Sequence, residues 1–407
     1  MRKPIGLVAV LISLSFVSLA AAQQPTDWID PSTGHRVIQL SREPGSSSAY
    51  FTQNEFTPDG TKLVISTPQG ISTIDLKTHA IESVVEGRAR IIEMGRKTNQ
   101  VYYMKDGTVY ATNVNTRATH EIVKLPFRGG VSTVNADETL LAGSYVVGAA
   151  PQFQRMRRPA PPPPGQRGAA IESMLLRRWS MHLPMALFTV NIKTGEIKTF
   201  NHSTEWLNHV QFSPTDPHLL MFCHEGPWHL VDRIWSIRTD GAGLTKIHTR
   251  TMEMEIAGHE FWGADGQTLW YDLQTPRGED FWLAGYSLKT GERTWYHLQR
   301  NEWSVHYNVS PDGKLFAGDG GDVQNVAHAT DGKWIYLFHP LLIPNRGVEQ
   351  KGLIKPGVFT AEKLVNMSKH NYHLEPNVQF TPDGKWIVFR SNISGATQVY
   401  EVEVNKE

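Results

Sequence analysis

The chain has 407 residues, with 40 basic and 40 acidic side chains and a formal net charge of zero. That balance leaves no global field to favour nucleic acid or an anionic membrane, so an acidic ligand has to be met by a local basic site. The single cysteine, Cys223, excludes an intramolecular disulfide.

The first residues read as a secretory signal. Arg2 and Lys3 form the charged start, Ile5 to Leu19 the apolar core, and Ala20-Ala21-Ala22 a small-residue cleavage site before Gln23. The apolar core is short for a membrane span, and no later stretch is long and apolar enough to cross a bilayer. No cysteine follows the signal to carry a lipid. The expectation is a periplasmic or secreted protein without a stable membrane anchor. Residues 1–22 are the signal peptide and residues 23–407 one domain, a size that suits a closed repeat architecture.

A short phrase then recurs. Phe56-Thr57-Pro58-Asp59-Gly60, Val309-Ser310-Pro311-Asp312-Gly313 and Phe380-Thr381-Pro382-Asp383-Gly384 are copies. Phe212-Ser213-Pro214 and Trp262-Gly263-Ala264-Asp265-Gly266 are variants. Pro presets φ, Asp bonds its own backbone and Gly takes positive φ, so each copy is a tight turn between two strands. Val101-Tyr102-Tyr103-Met104 and Thr139-Leu140-Leu141-Ala142 mark further strands, and Lys193 to Glu196 and Lys289 to Glu292 read as outer hairpins. Units start near residues 56, 95, 134, 212, 262, 309 and 380, which predicts an all-β, seven-bladed β-propeller. Six or eight blades stays open, because Asp331 to Tyr336 could start a blade of its own.

One spacing is irregular. Residues 151–182 form a Pro/Arg-rich insertion holding Pro161-Pro162-Pro163-Pro164-Gly165, with six arginines against Glu172. It reads as an extended loop without a packed core: either a solvated insertion or a basic flap over an acidic substrate.

Histidines and carboxamides stand at one distance before the phrase. Three residues ahead of the first residue of each copy are Gln53, His209, His259, His306 and Asn377. Equivalent positions on the inner strands of successive blades form a ring around the channel, where metal and substrate converge. Glu375 precedes Asn377 by two, which on a strand is the same face. His306, Glu375 and Asn377 together offer imidazole, carboxylate and carbonyl oxygen. That set suits Mn²⁺ better than Mg²⁺ or Ca²⁺, and it is not a structural zinc site.

Two stretches are dense in polar groups. Cys223-His224-Glu225-Gly226-Pro227-Trp228-His229 leads into Asp232-Arg233-Ile234-Trp235, where His224 and Arg233 are candidates to face a ligand and Arg suits a uronate carboxylate. Gly258-His259-Glu260-Phe261-Trp262 supplies a channel histidine suited to general-base work. Glu260 should point the opposite way and pair within the sheet.

At these residues the chain resembles the oligogalacturonate lyase family (polysaccharide lyase family 22). The match begins at Trp28-Ile29-Asp30-Pro31 and continues through Tyr50-Phe51-Thr52-Gln53, Cys223 to Trp235, Gly258 to Trp262 and His306 to Gly313. The resemblance implies a seven-bladed propeller that cleaves short oligogalacturonates by β-elimination, with Mn²⁺ in the channel. It implies His259 as base, Arg233 as catalytic partner and binder of the substrate carboxylate, and His306 as metal ligand. His209, His224 and Gln53 would orient the sugar, an acidic oligosaccharide. Familiar members carry Gln-Val-Asp-His-Pro-His-Pro before the Phe-Thr-Pro phrase. Here Tyr372-His373-Leu374-Glu375-Pro376-Asn377-Val378 stands there, so Glu375 and Asn377 replace two histidines. Two other readings stay open: a lyase for a different uronate polysaccharide, and a non-catalytic propeller that binds oligouronates.

Overall fold

A computed structural model describes residues 26–148, 167–347 and 350–406. The expected signal segment and the proline run lie outside the described residues. Within them the chain is almost wholly β, with the helix Arg167–Trp179 and a short turn of helix at Arg300–Glu302. No helix of the described residues is long and apolar enough to cross a membrane.

The strands form six hydrogen-bonded sheets in chain order. Three strands lie within residues 62–86, and four each within 90–124, 129–203 and 206–246. An eight-stranded sheet spans residues 256–366. It is two antiparallel four-stranded runs joined where Arg293–Leu298 pairs in parallel with Ile354–Asn366. In the last sheet the N-terminal strand Arg36–Gln39 pairs with the C-terminal strand Gln398–Glu403 through Val37↔Val402 and Ile38↔Glu401. That pairing ties the two ends of the chain together, so the array closes.

The repeated phrase forms the turns expected of it. Thr57 Oγ1 donates to Asp59 Oδ1 (2.6 Å), Gly60 N donates to the Thr57 carbonyl (2.8 Å), and Gly60 sits at φ 68°. Thr381, Asp383 and Gly384 repeat these bonds at φ 70°, and Ser310, Asp312 and Gly313 at φ 73°. Only glycine takes that φ without strain.

Between sheets the core is apolar. Leu207, Phe212, Leu220 and Phe222 pack on Ala142 and Leu187 of the preceding sheet, and Tyr372, Phe380, Phe389 and Tyr400 on Ile335 and Leu337. The inner edges are joined by buried and half-buried polar side chains instead. Gln53 Nε2 donates to the Ile92 carbonyl (2.6 Å), and Glu93 Oε2 accepts from Val134 N (2.8 Å). Thr133 Oγ1 accepts from Phe212 N (3.1 Å), and Gln211 Nε2 donates to the Glu260 carbonyl (3.0 Å). Asn308 Oδ1 accepts from Phe380 N (3.0 Å), and Gln379 Nε2 returns to the Gln53 carbonyl (3.1 Å). Each bond satisfies a backbone group that the short inner strand would otherwise leave bare.

The insertion departs from expectation in its described part. Residues 167–179 are a helix, built on Ala169-Ala170-Ile171-Glu172-Ser173-Met174-Leu175-Leu176, good helix formers whose signal the prolines masked. Arg177 and Arg178 in its last turn suit the dipole. Leu175 is buried, Arg178 stacks over Trp206 at 4.9 Å, and Trp179 lies against Gly226. A Cβ on Gly226 would come within 2.9 Å of the Trp179 ring, so this contact needs glycine. The helix thus docks on the loop after Glu225.

Candidate active site

The fixed offset marks a bulge. The ladder of Trp206–Phe212 breaks register between Asn208 and Gln211, and that of Ile256–Trp262 between Gly258 and Phe261. His209 and His259 take left-handed φ of 48° and 45°, and Asn377 takes 55°. A bulge adds a residue to one strand and re-aims the side chains around it. Strained non-glycine residues of this kind collect at functional sites.

His259 is held by a carboxylate that the sequence reading missed. Its Nδ1 lies 2.9 Å from Asp272 Oδ1, on the neighbouring strand where Gly258 pairs with Asp272. Gly258 leaves room for that carboxylate, since a Cβ there would sit 3.1 Å from it. With Nδ1–H donated to Asp272, Nε2 carries the lone pair. Burial pulls the His259 pKa down, but the charge and hydrogen bond of Asp272 outweigh it and the net shift is upward. A lone acid inside the apolar run Leu269-Trp270-Tyr271-Asp272-Leu273 was the available signal.

His306 repeats the device. Its Nδ1 is 2.8 Å from Asp319 Oδ2, and its own N–H donates to Asp319 Oδ1 (2.8 Å). The ring is 1% exposed, and its centroid is 4.8 Å from that of His259. Nε2 faces Glu375, with Oε2 at 3.9 Å. Glu375 lies in an irregular segment and not on a strand, yet its side chain still reaches His306. An imidazole oriented by a carboxylate through its other nitrogen is a typical metal-ligand arrangement. The donor set of His306 and Glu375 fits a divalent cation such as Mn²⁺. The carboxamide of Asn377 is engaged by backbone at both ends. Oδ1 accepts from Phe51 N (3.2 Å), and Nδ2 donates to the Glu375 carbonyl (2.9 Å). Its backbone N–H donates to Asp319 Oδ2 (3.2 Å).

Arg233 differs most from its expected role. It is 4% exposed, and its guanidinium is enclosed by two carboxylates. Nε donates to Glu260 Oε2 (2.9 Å), and Nη1 and Nη2 donate to Glu225 (2.5 and 3.3 Å). Glu260, expected to face away into the sheet, is turned inward by the bulge at Gly258–Phe261. Burial alone would raise the pKa of Glu225 and Glu260, and Arg233 beside them reverses the sign for both. His209 joins this cluster, with Nε2 3.3 Å from Glu225 Oε2. His209, Cys223 and Glu225 place ligand atoms within 4.8 Å of one another. A cation there would meet the Arg233 guanidinium, and burial keeps the Cys223 thiol protonated, so that trio is no metal site.

Two other expected binders are committed elsewhere. Gln53 donates to the Ile92 carbonyl and accepts from Tyr50 N (3.1 Å), so both ends of its amide hold backbone. His224 lies on the opposite strand face from Cys223 and Glu225, because side chains alternate. Its ring packs on Trp235 at 4.8 Å and on Phe222 at 5.7 Å, and burial lowers its pKa to about 4.

Tyr50 was not anticipated. Its ring lies 5.3 Å from His306 and 5.9 Å from His209. Burial, with Glu375 and Glu260 nearby, pushes its phenol well above the ordinary value, so it is a proton donor at neutral pH. No hydrogen bond to its hydroxyl forms among the described residues.

A cavity of about 200 Å³ opens over His259 and Glu375 and is walled by Trp228, Arg277 and the helix residues Glu172 and Leu175. An Asp-held imidazole beside a second, carboxylate-facing imidazole, on a framework of antiparallel sheets, fits a propeller-like lyase. Comparison with known proteins agrees. The family model described as oligogalacturonate lyase matches residues 179–407. The chain is 29% identical over 226 residues to the oligogalacturonide lyase of Pectobacterium atrosepticum, covering 54% of this chain and 55% of that one. It is 26% identical over 389 residues to the oligogalacturonate lyase of Dickeya dadantii, covering 92% and 95%. An oligogalacturonate lyase structure in complex with manganese superposes with a TM-score of 0.74 at 25% identity, over 93% of this chain and 96% of that one. The chain belongs to the oligogalacturonate lyase family.

Proposed function

We propose that this protein is an oligogalacturonate lyase with seven blades, cleaving short pectin-derived uronate oligomers by β-elimination to 4,5-unsaturated products. Six four-stranded or larger units and the three-stranded sheet, with the eight-stranded sheet counted as two, support the blade number. The observation that carries the function is the His259–Asp272 pair beside the buried His306, with His259 and Glu375 lining one cavity.

His306 and Glu375 would hold the cation, Mn²⁺ as in the manganese-bound relative. When bound, it supplies positive charge to the substrate carboxylate and so eases the negative charge that develops at C5. His259 Nε2 takes the C5 proton. The C5–H electron pair becomes the C4=C5 bond, and the C4–O bond breaks. The departing oxygen takes a proton from the Tyr50 hydroxyl. Asp272 holds the tautomer of His259 and stabilises the imidazolium it becomes. Asn377 keeps Glu375 in place through its carbonyl. Arg233 fixes Glu225 and Glu260, and through Glu225 the ring of His209.

The test is the appearance of unsaturated-uronate absorbance with digalacturonate and Mn²⁺. His259→Ala should abolish it in folded protein, and Tyr50→Phe should slow it. Absence of product from metal-loaded wild type with any uronate oligomer refutes the proposal. A second reading, favoured by Glu375 and Asn377 in place of two histidines, keeps the chemistry and changes the polymer. A screen of acidic oligosaccharides separates the two. Arg2, Lys3 and the apolar run to Leu19 support export to the periplasm or beyond, which fractionation with N-terminal sequencing checks.

A further inference from the structure

We infer that Arg277, under the roof of the helix Arg167–Trp179, forms a second carboxylate subsite, and that Glu172 occupies it in place of the ligand. The inference rests on the oligouronate reading above. An oligouronate carries a carboxylate on every ring, so the ring beside the reacting one needs a cation of its own. Arg233 cannot serve, because Glu225 and Glu260 already enclose it at 4% exposure. Among the described residues lining the cavity with His259 and Glu375, Arg277 is the one guanidinium or ammonium.

Arg277 is well placed and well braced. The strand Thr268–Gln274 carries Asp272, the partner of His259, and runs directly into the loop of Arg277. Gln274 is fully buried. Its Oε1 accepts from Gly278 N (2.7 Å), and its Nε2 donates to the Val326 carbonyl (3.1 Å), so the loop is fixed on both sides. Arg277 N donates to the Met254 carbonyl (2.8 Å). The carboxylate that orients His259 and this guanidinium are thus carried by one strand and the braced loop that follows it. The side chain itself stays accessible, at 31% exposure.

Its present partner is Glu172 Oε1 at 3.2 Å, contributed by the helix. A half-exposed ion pair of this kind is weak, so a substrate carboxylate can replace it. Glu172 also lies 4.0 Å from His229 Nδ1, which gives the displaced carboxylate a second partner. With Ile171 and Leu175 beside Glu172, the helix lines one side of the cavity of about 200 Å³, a size that suits a short acidic oligomer better than a long chain.

The experiment compares digalacturonate with its derivative methyl-esterified on the ring that is not eliminated. It uses wild type, Arg277→Gln and Glu172→Gln, each metal-loaded and checked for folding by thermal melt. Wild type should favour the diacid, and Arg277→Gln should raise KM for the diacid roughly 10-fold or more while leaving the ester little changed. Glu172→Gln should lower KM for the diacid a few-fold. If Arg277→Gln keeps the full preference for the diacid, the subsite is refuted. If wild type makes no unsaturated product, the functional reading fails instead. Calorimetry of diacid binding to wild type and Arg277→Gln then decides the subsite: weaker binding to the variant supports it, and equal or absent binding to both overturns it.

Discussion

Asp272→Asn isolates the feature on which the chemistry depends most. The carboxylate lies 2.9 Å from His259 Nδ1, and its charge and hydrogen bond together hold the imidazole pKa above the ordinary value. Proton abstraction needs the neutral ring, so activity falls as pH drops through that raised pKa. An opposite charge at this range favours the charged imidazolium, so the variant should move the acid limb of kcat/KM to lower pH. The plateau should fall as well. An amide can donate to Nδ1, which places the proton on Nε2 and removes the base from the cavity. That tautomer loss is worth on the order of 10²–10⁴ in kcat. The assay is initial rate of unsaturated-uronate formation with digalacturonate across roughly pH 5 to 10. Stability supplies an independent readout. The pair stabilises the fold below the ordinary imidazole pKa, and that contribution is lost as pH rises through the raised one, so the variant should lose more melting temperature at acid than at alkaline pH. An unmoved acid limb with a plateau within about twofold of wild type would refute the reasoning, since general-base catalysis is worth far more.

Arg233→Ala leaves Glu225 and Glu260 buried without their cation. It should cost about 3–5 kcal/mol of folding stability by denaturant melt, well beyond a binding-site change. Glu55 is fully buried, and burial raises its pKa to about 8. A raised carboxyl pKa contributes stability that is complete below about 4.5 and fades as pH rises towards 8, so wild type should lose melting temperature over that window and Glu55→Gln should not. His306→Ala removes one of two side-chain donors for the cation, and Mn²⁺ affinity by calorimetry should fall by at least 10-fold, while Asn377→Ala should weaken it less.

The hairpin turns were legible because Pro, Asp and Gly each act locally, and the bonds within Thr57–Asp59–Gly60 need nothing from the rest of the chain. The equal offset of His209, His259, His306 and Asn377 was legible too, since a repeat transmits position along the sequence. Strand alternation failed at Glu260. Its direction depends on a left-handed residue at His259, and that bulge is set by how neighbouring sheets meet. Gln53 looked like a ligand group, yet its amide ties the turn at Tyr50 to the inner strand at Ile92.

The sequence by itself determined the repeat, its turns, and the two histidines at the candidate site, because those signals are local or periodic. Only the tertiary structure decided which carboxylates orient them, that Arg233 is enclosed, and that a helix brings Glu172 to Arg277. Asp272 and Asp319 each lie 13 residues from their histidines. Arg277 and Glu172 are 105 residues apart. Such pairs are chosen by strand register and by the closing of the sheets into an array, and no short stretch of chain encodes either.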